Sequence, residues 1–434
     1  MEINENQTPA WFAKKALDEV IFCYEFLDKH PMVCLNGTFF TKNGIVSDEN
    51  LLKKQIFDEL KDHINSGLPK KVNTLLEVLR LECAVDKLPM HSDRIHVANG
   101  TFFLDGSFTT EKSYCRNRLP VAYKPNAPAP TAWLDFLSQL LHPEDIPTLQ
   151  EFFGYCLIPS TKAQKMLFLI GKGGEGKSRV GIVLQALMGS NMKTGSIAKV
   201  ENSPFARADL QNMLVMLDDD MKMEALTQTN NIKAIVTAEL PMDLEKKGIQ
   251  SYQGDLRVRF LAFGNGTLQA LHDRSHGFFR RQIILEVKDR DPERRDDPFI
   301  AEKLCQEKEG ILLWALEGLL RLIQNNYHFT ISHRAKENME AAVVDGNNLL
   351  EFMNSEGYFR FKADSTVSSR DLYDVYKQWC EDNALNSLAQ KSLTGFLRQN
   401  EHKYNLEYTN KVNIGGGRLA RGFWGIELIQ RLWP

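Results

Sequence analysis

The run Met166-Leu167-Phe168-Leu169-Ile170-Gly171-Lys172-Gly173-Gly174-Glu175-Gly176-Lys177-Ser178 decides the reading of this chain. Its first residues are uninterruptedly apolar, as in a strand buried on both faces of a sheet. The rest matches G-x-x-x-x-G-K-[ST]. Glycines at these positions let backbone N–H groups turn inward as an anion nest. A helix expected over about 178–187 aims its positive N-terminal end at the same point. Lys177 is the side chain that reaches β- and γ-phosphates, and Ser178 offers a hydroxyl to Mg²⁺. Nucleotide contacts are therefore expected from Gly171, Gly173, Gly174, Glu175, Gly176, Lys177, Ser178 and Arg179, with ATP and Mg²⁺ as cofactors.

Toward the C-terminus, Asn212 to Leu217 reads as a second buried strand, followed by Asp218-Asp219-Asp220. Acids at the C-terminal edge of an open α/β sheet stand where such sheets bind ligands. One should hold the hydrated Mg²⁺ and the next polarise the attacking water. Three in a row leave the register open, with Asp218 favoured for the metal and Asp219 for the water. Arg257 to Phe263 is a third strand and leads to Asn265, an amide able to orient water near a γ-phosphate. Gln282 to Val287 is a fourth, preceded by Phe278-Phe279-Arg280-Arg281. A guanidinium here can neutralise charge during phosphoryl transfer and can act in trans on a neighbouring subunit. The charge run from Lys288 to Asp297 reads as a solvated linker. Apolar strands alternating with helical stretches predict an α/β core with a mainly parallel sheet.

Upstream, residues 11–80 read as largely helical, with helices over Trp11 to Leu27 and Glu49 to Ile64. Hairpins are expected at Pro31 to Ile45 and Arg94 to Phe108, turning at Asn36-Gly37 and Asn99-Gly100. A connector with Pro120, Pro125, Pro128 and Pro130 precedes helices over Trp133 to Leu141 and Ile146 to Leu157. Downstream, helices are expected over about 299–325 and 332–355. The last segment reads as helices over Arg370 to Asn383 and Gln390 to Asn400. A hairpin around Gly415-Gly416-Gly417 follows, a pattern that suggests a winged helix.

Composition narrows the function. With 53 Lys and Arg against 56 Asp and Glu, the chain is not a globally basic nucleic-acid binder. From Lys391 onward, however, seven cations face three acids. Lys391, Arg398, Arg418 and Arg421 are the expected DNA contacts there, a basic second helix suiting the major groove and a basic wing the backbone. The scattered cysteines form no C-x-x-C pair and read as reduced thiols. His272 and His276 lack an obvious third metal ligand. The most apolar stretch, Ile311 to Ile323, is interrupted by Glu317 and Arg321 and reads as a buried helix, not a membrane span. Met1 to Ala10 resembles no signal peptide, which points to the cytoplasm.

The order of these motifs resembles the superfamily 3 helicases, in particular the phage and plasmid primase-helicase branch with its poxvirus relatives. Further resemblance lies in Ile95-His96-Val97-Ala98-Asn99-Gly100-Thr101-Phe102, in Pro120-Val121-Ala122-Tyr123 and in Leu149-Gln150-Glu151-Phe152-Phe153-Gly154-Tyr155. Two departures stand out: Asn265-Gly266-Thr267-Leu268 lacks the proline of many family sensors, and the acids read Asp-Asp-Asp instead of Asp-Glu. The resemblance implies a P-loop AAA+-like ATPase core over 161–300, after a mainly helical N-terminal collar over 1–160. A helical connector over 301–360 and a winged helix over 361–434 complete the expected organisation. It implies a homo-hexameric ring with ATP between subunits, Asn265 as sensor, and Arg280 or Arg281 as a finger reaching a neighbour. It also implies a DNA-contacting hairpin, here within Asn231 to Asp255, whose Lys246 and Lys247 face single-stranded DNA in the channel, while the winged helix takes duplex origin DNA. The expected activity is that of an ATP-dependent DNA helicase or replication initiator of a mobile genetic element. A DNA-binding regulatory ATPase without unwinding, or a P-loop phosphotransferase, are the alternatives.

Overall fold

A computed structural model of the chain describes residues 8–221, 229–238, 240–264, 276–345, 348–383, 385 and 387–429. It divides near residue 338 into two compact units.

The first unit begins with α1 (Glu19–Lys29), β1 (Met32–Leu35), β2 (Thr38–Thr41), β3 (Gly44–Ile45), α2 (Glu49–Leu60) and α3 (Leu68–Glu82). The helix expected over Trp11 to Leu27 is broken. A 3-10 turn covers Ala10–Phe12, and α1 starts only after Asp18, whose carboxylate accepts the Ile21 N–H. The cap outcompetes helix continuation, while Trp11 still reaches the core edge-on to Phe22. A second three-stranded sheet follows, β4 (Arg94–Val97), β5 (Gly100–Phe103) and β6 (Phe108–Thr109), then α4 (Thr131–Leu140) and α5 (Ile146–Cys156). Both hairpins therefore carry a third strand that the Asn-Gly signals did not announce.

The centre of the unit is built from β7 (Met166–Ile170), α6 (Lys177–Met188), β8 (Met192–Thr194), α7 (Ile197–Asn202), α8 (Pro204–Ala208), β9 (Val215–Met221), α9 (Asn230–Thr237), β10 (Met242–Lys246), β11 (Ile249–Gly254), β12 (Arg259–Gly264), α10 (His276–Phe279) and β13 (Gln282–Glu286). Five strands form one parallel sheet in the order β13-β7-β12-β9-β8. Strands β7 and β12 are almost wholly buried, which explains their unbroken apolar sequences. The fold is thus mixed α/β around a parallel sheet. Strand β8, with only Met192 buried, was too short and polar to be read from sequence.

The expected helix over 299–325 is two helices, α11 (Ile300–Gln306) and α12 (Lys308–Gln324). Glu307 sits at the break because its carboxylate accepts the backbone N–H groups of Ala132 and Trp133, satisfying the first turn of α4. Helix α12 packs along α5. Arg321 donates to the fully buried Glu151 at 2.7 Å, and Glu151 also accepts from Thr330. Of the two charges that interrupt this apolar helix, Arg321 therefore serves an internal network, while Glu317 is exposed. Among the described residues no helix is long and apolar enough to cross a membrane.

After α13 (His333–Asp345), the second unit holds α14 (Asn348–Met353), β14 (Phe359–Ser368), α15 (Ser369–Asp382), α16 (Gln390–Gln399), α17 (Glu401–Tyr404), β15 (Glu407–Asn413) and β16 (Leu419–Leu428). The three strands make an antiparallel sheet in the order β14-β16-β15. Its core includes Phe352, Tyr376, Trp379, Leu397 and Phe423. Strand β14 escaped the sequence reading because its middle residues are charged and exposed.

Candidate functional site

The glycine-rich loop leaves β7 at the C-terminal edge of the parallel sheet and enters α6 at Lys177. Gly173 and Gly176 have φ of +109° and +111°, a region that L side chains avoid. Gly171 has no room for a side chain, since a Cβ there would lie 2.5 Å from the Val287 side chain. The loop therefore curls tightly, and its concave side already contains an anion. Glu175 is folded inward and only 3% exposed. Its carboxylate accepts the Gly173 N–H at 2.6 Å and the Lys177 Nζ at 2.8 Å. Burial alone would raise its pKa, but Lys177 and the backbone donors outweigh burial and hold it below the ordinary glutamate value.

Around this loop opens a cleft of about 940 Å³. Ser178 and Arg179 line it from α6, and Asp219 and Asp220 from β9. The acids are not where the sequence suggested. Strand β9 starts at Val215, not Asn212, and runs through the whole Asp triplet to Met221. Asp218 faces away from the cleft: it is 6% exposed and accepts the Ile197 N–H at 2.8 Å. Burial raises its pKa against the pull of that N–H. The register of β9 against β12 then slips, with Ala262 opposite Asp218 but Gly264 opposite Met221. This bulge leaves both Asp219 and Asp220 exposed at the cleft. Asp218, favoured from sequence for the metal, therefore does not reach the cleft, while Asp219 and Asp220 both do.

The charge run after β13 is largely exposed, as a solvated linker would be, but part of it also lines the cleft. Arg294 donates to the Glu175 carbonyl at 2.8 Å and the Gly174 carbonyl at 3.2 Å. Lys172 pairs with Asp289 at 2.8 Å, and Arg290 with Asp296 at 2.9 Å. Arg290, Arg294 and Arg295 all line the cleft. The exposure of the run was legible from its polarity, but the contact of Arg294 with the loop was not, because its spacing from the loop gives no sign of it.

Asn265 lies outside the described residues, as does His272. Arg280 is exposed at the end of α10, whereas the Arg281 guanidinium donates to the Gly277 carbonyl of the same turn. Among the described residues no His, Cys, Asp and Glu cluster of metal-binding kind is present. The described cysteines are all free thiols.

Strands β10 and β11 pair as an antiparallel hairpin. Lys247 is exposed at its turn, while Lys246 is half-buried with its Nζ 5.8 Å from the Tyr252 ring. In the second unit, Lys391, Arg398 and Arg421 line one cleft of about 640 Å³ together with Ser369, Arg370 and Tyr408. Arg398 lies 4.7 Å from the Tyr408 ring. Arg418 is exposed on the β15–β16 turn, outside that lining. Arg370 was missed because it precedes the segment where the cations concentrate.

Residues 169–281 match DUF5906, a family of unknown function. Among solved structures, the A form apo structure of the NrS-1 C-terminal region is 12% identical with a TM-score of 0.51, covering 93% of this chain and 98% of that one. The apo structure of NrS-1 residues 305–718 gives 12% identity and a TM-score of 0.52, covering 94% of this chain and 100% of that one. In fold, then, the chain is similar to the NrS-1 C-terminal region over nearly its whole length. In sequence, the stretch from β7 to Arg281 is similar to a family whose function is unknown.

Proposed function

We propose that the chain is an ATP-hydrolysing DNA translocase of the superfamily 3 helicase type, acting in replication of a mobile genetic element. The observation that carries this reading is the buried Glu175 carboxylate held by the Gly173 N–H and Lys177. An anionic oxygen is stabilised at the point where the loop sequence calls for phosphate, so the donors fit the group. In the reaction, phosphate takes the place of this carboxylate, and Lys177 turns to the β/γ-phosphates. Ser178 and Asp219 are the residues that would hold Mg²⁺, which when bound draws charge from the phosphate oxygens. Asp220 accepts a hydrogen bond from the attacking water and orients it. Arg280, exposed where Arg281 is tied to its own turn, reaches a neighbouring subunit's phosphates.

The hairpin lysine Lys247 contacts phosphates of single-stranded DNA in the channel of a hexamer, and the second unit acts as a winged helix on duplex DNA. The first assignment rests on the exposed charge of Lys247 at the hairpin turn, the second on exposed cations that include Arg398 beside the Tyr408 ring. Strand displacement on a forked DNA substrate tests the proposal. Wild-type protein with ATP and Mg²⁺ should release the labelled strand, and Lys177→Ala should not. DNA binding and ATP hydrolysis without displacement would favour a regulatory ATPase instead.

A further inference from the structure

The cleft is far larger than a triphosphate, and two parts of its lining differ in chemistry. One part is the loop with its inward donors. The other, beside it, is a face of α4, a helix no motif singled out. Ala132, Asp135, Phe136 and Gln139 line the cleft, a spacing of i, i+3, i+4 and i+7 that places them on one helical face. The opposite face carries Trp133, Leu137 and Leu140 into the core. Helix α4 therefore presents a deliberate second surface, with one aromatic ring and two polar side chains.

Phe136 is fixed in place. Its ring stacks on Trp133 at a centroid separation of 5.8 Å, and Trp133 is fully buried against Phe153 and Trp314. The Phe136 edge comes to 3.5 Å from the position a Cβ on Gly176 would occupy. The ring thus begins where the phosphate loop ends. Pro298 and Ile300 contribute further apolar surface to the same lining. Glu307, by capping α4, fixes the height of this face against the loop.

We infer that α4 is the nucleoside-reading element of the site: Phe136 stacks on a nucleobase, while Asp135 and Gln139 meet its hydrogen-bonding edge or the ribose hydroxyls. The inference rests on the proposed nucleotide site and adds the half that the phosphate loop cannot supply. A planar π-face against an aromatic ring accounts for affinity. Asp135 accepts only, so it selects groups that carry donors, such as an exocyclic amine or a hydroxyl.

Equilibrium binding to the full chain separates the two parts of the lining, with ATP and inorganic tripolyphosphate as probes. Tripolyphosphate has the charges and no nucleoside. Wild-type protein should bind ATP more tightly than tripolyphosphate. Phe136→Ala should lose that preference, weakening ATP by about tenfold with tripolyphosphate unchanged. Phe136→Tyr should restore it, and Asp135→Asn should lower the ratio of the two affinities. Lys177→Ala should weaken both probes together. An unchanged melting temperature for Phe136→Tyr and Asp135→Asn keeps the comparison clear of misfolding. If the wild type binds both probes equally, or Phe136→Ala weakens both alike, α4 does not read the nucleoside, although the phosphate loop stands. If the wild type binds neither probe, the phosphate-loop reading fails and the inference falls with it.

Discussion

At the scale of single residues, Glu175 and Asp218 carry the sharpest expectations. Glu175 occupies Gly173 and Lys177, the donors that the proposed function assigns to phosphate. Its folded-state pKa is lowered, so its contribution to stability is present above the ordinary glutamate pKa and is lost as pH falls through the lowered value. At neutral pH the carboxylate is charged and must be displaced. Glu175→Gln should therefore bind ATP more tightly, by about fivefold, because a neutral hydrogen bond replaces a charge-assisted one. A titration showing weaker binding would assign Glu175 to the nucleotide-bound site instead. Asp218 has the opposite sign: burial raises its pKa, so the charged form costs stability above that value, and the cost shrinks as pH falls from it toward the ordinary aspartate pKa. Asp218→Asn keeps an acceptor for the Ile197 N–H and removes a buried charge. It should raise the melting temperature at neutral pH, with a gain that shrinks in acid, and leave ATP hydrolysis intact. Asp219→Asn should abolish hydrolysis. Loss of hydrolysis in Asp218→Asn, with Asp220→Asn still active, would restore the register first read from sequence.

At the scale of elements, the outcome depended on whether a signal was local. Strands β7 and β12 were legible because burial on both faces demands an unbroken apolar run. The loop was legible because phosphate binding prescribes residue types at fixed spacing. The β9 bulge was not, since it arises from pairing with β12 and leaves no trace in the order of three identical acids. The wall formed by Arg290 and Arg294 was hidden for a related reason: charge in a sequence looks the same whether it meets water or a loop carbonyl. Likewise the cleft face of α4 is a helical stripe of ordinary composition, and only the fold brings it beside the loop. The β10–β11 hairpin was placed by resemblance and Lys247 stands at its turn. Lys247→Ala should weaken single-stranded DNA binding and lower the salt slope by about one phosphate contact, leaving ATP hydrolysis without DNA unchanged. An unaltered slope would remove the hairpin from the DNA path.

At the scale of the whole molecule, the two units suit different tasks. The first holds the parallel sheet and the cleft. The second concentrates Arg370, Lys391, Arg398 and Arg421 around a separate hollow. Arg398→Ala with Arg421→Ala should reduce duplex DNA binding and spare ATP hydrolysis, as measured by fluorescence anisotropy alongside phosphate release. If Arg280 acts on a neighbouring subunit, mixing Arg280→Ala with Lys177→Ala protein should restore part of the activity that each lacks, through mixed rings containing intact interfaces. No recovery despite proven subunit exchange would place the site within one subunit.

The most direct test of the central claim is ATP hydrolysis by the purified chain at low salt, with and without single-stranded DNA. The account predicts hydrolysis that rises strongly with DNA and disappears in Lys177→Ala. Hydrolysis indifferent to DNA, or persisting at the wild-type rate in Lys177→Ala, would contradict it.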